Sequence, residues 1–250
     1  MLDKASVVSN NAGEHLIIEL PIDRFWRNAT QLVAARLDHL HSLPRKSIEQ
    51  AIRPLIAALP DRVALLDLET CGLAGSPLFL IGLIRAIDSR LTVELLFART
   101  YAEEKAVLVS LWERLARVDA LATFNGKSFD WPTVLDRSRR HLLHKERPLT
   151  GPEHFDLLHP ARRRWRAQLP DCKLQTLERC VCRRSRTGDI PGSQIPAAYE
   201  AFVRTGAAGE IEAVLHHNAL DLITLLDLTL RLSTPASGAV SKKVAKKSLS

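Results

Sequence analysis

Apolar and polar residues along this chain fall into runs of strand and helix period. Leu78–Ile87 is mostly apolar, and Leu91–Ala98 is a second such run. Asp88-Ser89-Arg90 between them has turn chemistry, so the two predict a β-hairpin. Val63 to Leu66 is apolar and leads into Asp67-Leu68-Glu69, which predicts a strand over Val63–Glu69. Over Glu103–Val118, the apolar residues Val107, Leu108, Leu111, Leu115 and Val118 gather on one side of a helix. Asp119–Phe124 predicts a fourth strand, broken by Asn125-Gly126. Trp131–Leu143 predicts a helix, with Pro132 tolerated in its first turn. His154–Leu158 predicts a short fifth strand. From Pro160 the pattern is mainly helical, interrupted at Pro170 and at Gly188–Pro196, and a long last helix is expected over Gly209–Leu232.

The pattern is weaker before residue 62. Residues 1–14 are polar and are expected to be loose, and His15–Leu20 reads as a short strand or extended arm. Phe25, Trp26, Leu32, Val33, Leu37 and Leu40 fit a helical stripe over Phe25–Leu40. Ser47–Leu59 suits a second helix, stopped by Pro60. The expected division is an N-terminal, mainly helical extension over 1–61, a main domain over 62–232, and a disordered, Lys-rich tail over 233–250. Three strands, a helix, a strand, a helix, a strand and then helices describe an α/β domain with a mixed sheet.

Composition narrows the class only a little. With 46% hydrophobic and 25% charged residues, the 250-residue chain is an ordinary globular protein. No run of 18 apolar residues predicts a membrane span, and Met1–Glu14 lacks the layout of a secretory signal. Cys71, Cys172, Cys180 and Cys182 lack paired zinc spacing and read as free thiols of a cytoplasmic protein. The net charge is +7, but four of these charges are Lys242, Lys243, Lys246 and Lys247, which leaves about three for the rest. Basicity is therefore only a weak pointer to nucleic acid.

Three stretches carry candidate chemistry. In a strand, side chains alternate between faces, so Asp67 and Glu69 share one face while Leu66 and Leu68 take the other. Two carboxylates on one face repel unless a cation lies between them, and hard divalent cations choose oxygen ligands. Such pairs also occur where a strand runs out into a solvated loop. The second stretch is Phe124-Asn125-Gly126-Lys127-Ser128-Phe129-Asp130, where Asp130 also suits a helix N-cap and Asn125 a turn. The third is His216-His217-Asn218-Ala219-Leu220-Asp221, where His217 and Asp221 stand one turn apart on a helix. A carboxylate beside an imidazole is a proton-transfer pair, although Asp221, like Asp227, also suits a polar stripe.

Together these stretches resemble a DEDD-type 3′–5′ exonuclease of the ribonuclease H-like superfamily, most closely its YprB-like (RNase_H_2) group. Asp67-Leu68-Glu69-Thr70-Cys71-Gly72-Leu73 matches the first motif, with Cys71 where Thr is usual; Asn125 to Asp130 matches the second and His217 to Asp221 the third. The resemblance covers roughly residues 62–232. It implies a ribonuclease H-like mixed sheet flanked by helices, which fits the element order, as other mixed-sheet folds do. It also implies that Asp67, Glu69, Asp130 and Asp221 hold two divalent ions, Mg²⁺ or Mn²⁺. Four carboxylates with no opposing lysine call for such cations, and two ions about 4 Å apart can clamp the attacking and leaving oxygens of a phosphodiester. The general base is His217 or His216, because the family contains both spacings; the Asn-x-x-Asp that follows His217 favours it.

The same resemblance gives Thr70, Gly72 and Leu73 to the pocket for a terminal nucleotide, with Asn125 and Phe129 shaping it; the first three also suit a plain turn after a strand. Lys127 is expected at a phosphate or in a solvated loop, and Asp156 in an outer shell. Arg162, Arg163, Arg164 and Arg166 around Trp165 suit a nucleic-acid backbone with one stacked base, or else a solvated helix face with Trp165 in the core. Arg183, Arg184 and Arg186 form a looser basic patch. The expected function is metal-dependent 3′–5′ exonucleolytic hydrolysis of single-stranded or frayed DNA or RNA from its 3′ end. The alternatives are a noncatalytic nucleic-acid-binding or scaffold protein of the same fold, and a structure-specific endonuclease on the same metal site.

Overall fold

The computed structural model of the chain describes residues 1–43, 52–73 and 75–234. Its centre is a seven-stranded mixed sheet. The strands are β1 (Ser6–Asn10), β2 (Gly13–Pro21), β3 (Val63–Thr70), β4 (Leu78–Ile87), β5 (Arg90–Phe97), β6 (Ala120–Thr123) and β7 (Glu153–Asp156). Their order is β1-β2-β5-β4-β3-β6-β7. β3, β4 and β5 form an antiparallel meander, and β6 and β7 join β3 in parallel.

The hairpin between β4 and β5 turns at Asp88 and Ser89, both with positive φ, as a two-residue turn between twisted strands requires. β4 is buried at its first seven positions and β5 at its last five, so both faces of the sheet centre are covered. The covering helices include α3 (Glu104–Leu115) and α8 (Gly209–Ser233). The others are α1 (Ala29–Ser42), α2 (Arg53–Ala58), α4 (Asp130–Arg140), α5 (Leu158–Trp165), α6 (Leu174–Leu177) and α7 (Ile195–Thr205).

The largest departure from expectation is at the N-terminus. Residues 6–10 are not loose but form β1, and residues 13–21 form β2, which pairs with β5 and extends the main sheet. The polar composition that suggested disorder is that of an edge hairpin: β1 exposes one face, and only tertiary pairing stabilises it. α1 starts at Ala29, after a short 3₁₀ turn at Ile22–Arg24, and not at Phe25. α4 starts at Asp130 and stops at Arg140, and the fifth predicted strand ends at Asp156, with Leu158 already helical. The first part of the helix expected over Ser47–Leu59, and the tail beyond Thr234, lie outside the described residues.

Candidate functional site

β3 runs through the middle of the sheet, and its alternation presents Asp67 and Glu69 on one face between the buried Leu66, Leu68 and Thr70. Gly82 on β4 is the register partner of Asp67. A Cβ at Gly82 would overlap the Asn218 side chain. The missing side chain therefore lets α8 close on the sheet, and Asn218 Nδ2 donates to Asp67 Oδ2 at 2.8 Å. Asn218 also favours the charged form of Glu69.

β6 is parallel to β3, so the chain leaves it at the carboxyl end beside Glu69. The loop that follows is organised by Asp156 at the end of β7. Its carboxylate accepts from the amides of Asn125 (2.8 Å), Lys127 (3.1 Å) and Leu158 (3.0 Å). Asn125 has φ 63°, a conformation Asn tolerates. A side chain at Gly126 would collide with Thr123 and press on Asp130 Oδ2. Asp130 is the first residue of α4, with Phe129 in the cap position, so the N-cap alternative does not hold. Asp130 is buried, and this burial, with Asp156 and Asp221 adding to it, pushes its pKa up to about 7.

α8 brings the third group of residues. His217 and Asn218 are buried, and Asp221, one turn on, is half-buried. His217 Nε2 lies 3.4 Å from Asp221 Oδ2, and its Nδ1 lies 2.7 Å from Asp189 Oδ1. His216 is exposed and its ring lies 5.8 Å from that of Phe25. Of the two histidines, His217 therefore stands beside the acid. Asp67 is held far toward its protonated form, first by burial and then by Asp221, Glu69 and Asp130. Glu69 is held the same way, by burial and then by Asp221. The four carboxylates feel one another in a poorly solvated space.

A positive group opposes them, which corrects the expectation of an uncompensated acid set. Arg186 Nη2 donates to Asp221 Oδ1, while its Nε donates to Glu178 Oε2 at 2.6 Å and its Nη1 to Asp189 Oδ2 at 3.2 Å. Arg186 thus leaves the basic patch in which its sequence neighbours placed it. Glu178 lies in a π-helical turn, Glu178–Cys182, and Arg183 at φ 58° then sends the chain back across α8. Glu178, Arg186 and Asp189 were not legible as site residues, because no periodicity ties them to positions roughly 30 to 40 residues further along the chain. Gly82 did leave a signal, since a lone glycine inside an apolar strand marks a close approach.

The remaining residues fall into two groups. Leu73 (87% exposed), Phe129 (38% exposed), Asn125 and Lys127 are open to solvent. Thr70 is buried, and its hydroxyl donates to the Gly72 carbonyl at 2.7 Å, inside the turn. Burial pushes the Cys71 thiol up to about 12. Arg163 is exposed, but Trp165 is only 5% exposed and carries the Arg164 guanidinium 5.4 Å from its ring centre. Trp165 is a core residue, and the stacking role expected for it does not fit its position. Arg164 donates to the Arg231 and Thr234 carbonyls at 2.7 Å each, as a C-terminal partner of α8.

A hard divalent cation suits this donor set: carboxylate oxygens pushed toward protonation by burial and by one another. Among the described residues, no three His, Cys, Asp or Glu side chains are gathered tightly enough to hold one ion as they stand. Asp221 is turned onto Arg186 and Asp67 onto Asn218, so ligation asks for side-chain rotation.

A family model described as RNase_H superfamily matches residues 64–233. The "Uncharacterized protein YprB" of Bacillus subtilis (strain 168) is 37% identical over 174 residues, 67% of this chain and 41% of that protein. The chain thus spans about two fifths of the length of that curated relative. Among solved structures, the family B DNA polymerase of Pyrobaculum calidifontis superposes with a TM-score of 0.55 at 16% identity, over 69% of this chain and 24% of the polymerase. That likeness is one of fold. Among the described residues, no helix is long and apolar enough to cross a membrane.

Proposed function

Because this chain belongs to the RNase_H superfamily family that matches residues 64–233, we propose that it is a metal-dependent 3′–5′ exonuclease acting on single-stranded or frayed DNA or RNA. Nucleases of this superfamily process nucleic acid and generally use divalent metals; the two-ion mechanism, the 3′ polarity and the residue roles are our reading. The observation that carries it is the gathering of Asp67, Glu69, Asp130 and Asp221 within mutual electrostatic reach, with His217 beside Asp221. The unit that does this work is residues 62–232.

Asp67, Glu69, Asp130 and Asp221 would hold two Mg²⁺ or Mn²⁺ ions. Such ions, when bound, lower the pKa of a water and neutralise charge on the leaving 3′ oxygen. The chain's own residues do the rest. Asn218 holds one Asp67 oxygen by a hydrogen bond, which the carboxylate would exchange for an ion when it rotates to ligate. Asp156 holds the loop that positions Asp130. His217 accepts a proton from the attacking water, and imidazole is the side chain suited to that task at neutral pH. Leu73 and Phe129, exposed and apolar, pack against the terminal base, while Lys127 lies open to a phosphate.

The test is degradation of end-labelled single-stranded DNA and RNA with Mg²⁺, Mn²⁺ or EDTA, by the wild type and Asp67→Asn. Stepwise shortening from the 3′ end, lost with EDTA and in the variant, supports the reading and reveals the preferred sugar. Cleavage of a circular substrate moves the assignment to an endonuclease. Binding with no cleavage under any metal moves it to a noncatalytic binding protein.

A further inference from the structure

Asp189 lies outside every motif of the sequence, yet it touches the imidazole beside the acid cluster. We infer that Asp189 is the positioning residue of His217: its carboxylate holds the ring in the Nδ1–H tautomer and turns a free Nε2 lone pair toward Asp221 and the acids. The catalytic consequence rests on the exonuclease reading; the tautomer does not.

The argument begins with donors and acceptors. Asp189 Oδ1 is 2.7 Å from His217 Nδ1, a full hydrogen bond. Asp189 Oδ2 accepts from Arg186 Nη1 at 3.2 Å, and a second donor, Gln175 Nε2, stands 3.5 Å away. An ionised carboxylate only accepts, so the proton in the bond to His217 belongs to the imidazole. A neutral ring protonated at Nδ1 is unprotonated at Nε2. That nitrogen lies 3.4 Å from Asp221 Oδ2, on the side of the four acids. The same division of labour, with a carboxylate on one ring nitrogen and chemistry on the other, is that of the Ser-His-Asp triad.

Asp189 can do this because the segment that carries it is fastened on both sides. Before it, the π-helical turn and the left-handed Arg183 reverse the chain. Arg184 then lies over the Trp26 ring at 5.0 Å and 3.4 Å from Asp227 Oδ2. Arg186 is pinned by Glu178 and Asp221. After it, Ile190 is buried in the core. A carboxylate on so restrained a strap selects one ring orientation, whereas a mobile one would let the imidazole rotate about its χ angles.

The experiment uses the full 250-residue chain and two independent readouts. The first is the tautomer of His217 in metal-free protein, read from ¹⁵N–¹H correlation spectra at about pH 8.5, where a free imidazole is neutral. The resonance is assigned by its loss in His217→Gln. Wild type is expected to be protonated at Nδ1 alone, and Asp189→Asn is expected to shift the ring toward the Nε2–H form. A wild-type ring protonated at Nε2, or at both nitrogens, overturns the inference, as does an unchanged tautomer in Asp189→Asn. The second readout is steady-state cleavage. Asp189→Asn is expected to lower kcat by about 10- to 100-fold with little change in KM, and Asp189→Glu is expected to recover part of the loss. Equal loss in both variants with an unmoved tautomer would mean a purely structural carboxylate. If the wild type cleaves no nucleic acid, the exonuclease reading falls while the spectra still decide the role of Asp189. If the wild type cleaves and Asp189→Asn matches it, only the role of Asp189 falls.

Discussion

Asn218 on α8 and Asp67 on β3 are joined by a 2.8 Å hydrogen bond from the Asn218 Nδ2, and the Oδ1 of the same amide occupies the space a side chain at residue 82 would fill. The helix that delivers Asp221 and His217 therefore depends on a glycine in the neighbouring strand. Gly82→Ala is expected to cost about 1–3 kcal/mol by overpacking, measured by urea denaturation. Adding Asn218→Ala, which removes the colliding amide, should recover part of that loss, because residues in contact are not additive. A strictly additive double variant would contradict this packing.

The acid cluster makes metal-free stability fall as pH rises. The folded-state pKa of Asp130, about 7, is above its unfolded value, and those of Asp67 and Glu69 are raised in the same direction. Between the unfolded and folded values the folded state binds the extra proton, so stability is full below about pH 4 and is lost on passing upward through about 7. The contribution of Asp130 is on the order of a few kcal/mol, since each tenfold change in proton affinity is worth about 1.4 kcal/mol. Thermal melts of metal-free protein should show Asp130→Asn melting higher than wild type at about pH 8 and converging with it below about pH 4. Divalent metal should raise the wild-type melting temperature at the higher pH more than that of the variant.

If Asp221 takes the proposed role of metal ligand, Arg186 and the ion would compete for it. The guanidinium donates to Asp221 Oδ1 from a buried position and is held there by Glu178. Arg186→Gln should bind Mn²⁺ more tightly, by about ten-fold or 1.4 kcal/mol, in a calorimetric or paramagnetic titration. Without metal the same variant should lose about 3–5 kcal/mol of stability, the cost of leaving buried carboxylates unpaired. Weaker Mn²⁺ binding would show that Arg186 assists the ion instead of displacing it.

Glu104 is expected to be the most sensitive acid away from the site. It is buried, takes two bonds from Arg137 (2.7 and 2.6 Å) and one from the Leu78 amide (2.7 Å), and lies 2.8 Å from His141 Nε2. Burial works to raise its pKa, but these donors outweigh it and hold the pKa below the ordinary carboxylate value. It thus stabilises the fold above that value and loses this effect as pH falls below it. Glu104→Ala should cost about 3–5 kcal/mol at neutral pH in denaturant titration. A change under about 1 kcal/mol would show that the network contributes little.

Local period determined much of this protein. Alternation along Val63–Glu69 was enough to put Asp67 and Glu69 on one face, and four-residue spacing put His217 above Asp221. The apolar runs of β4 and β5 and the turn at Asp88-Ser89 set the meander almost to the residue. The motif spacing then pointed to the family that the comparisons bear out. Only the tertiary structure decided the rest, because those relations join residues with no shared period. β1 and β2 are polar enough to read as loose, and pairing with β5 orders them. Trp165, ringed by arginines in the sequence, turns inward because one side of a short helix must face the core. His216 and His217 are neighbours in sequence but about 100° apart around α8, so only one of them meets Asp221. Arg186 and Asp189 reach the site because a π-helical turn and one left-handed residue fold their segment back over α8, which sequence pattern does not encode.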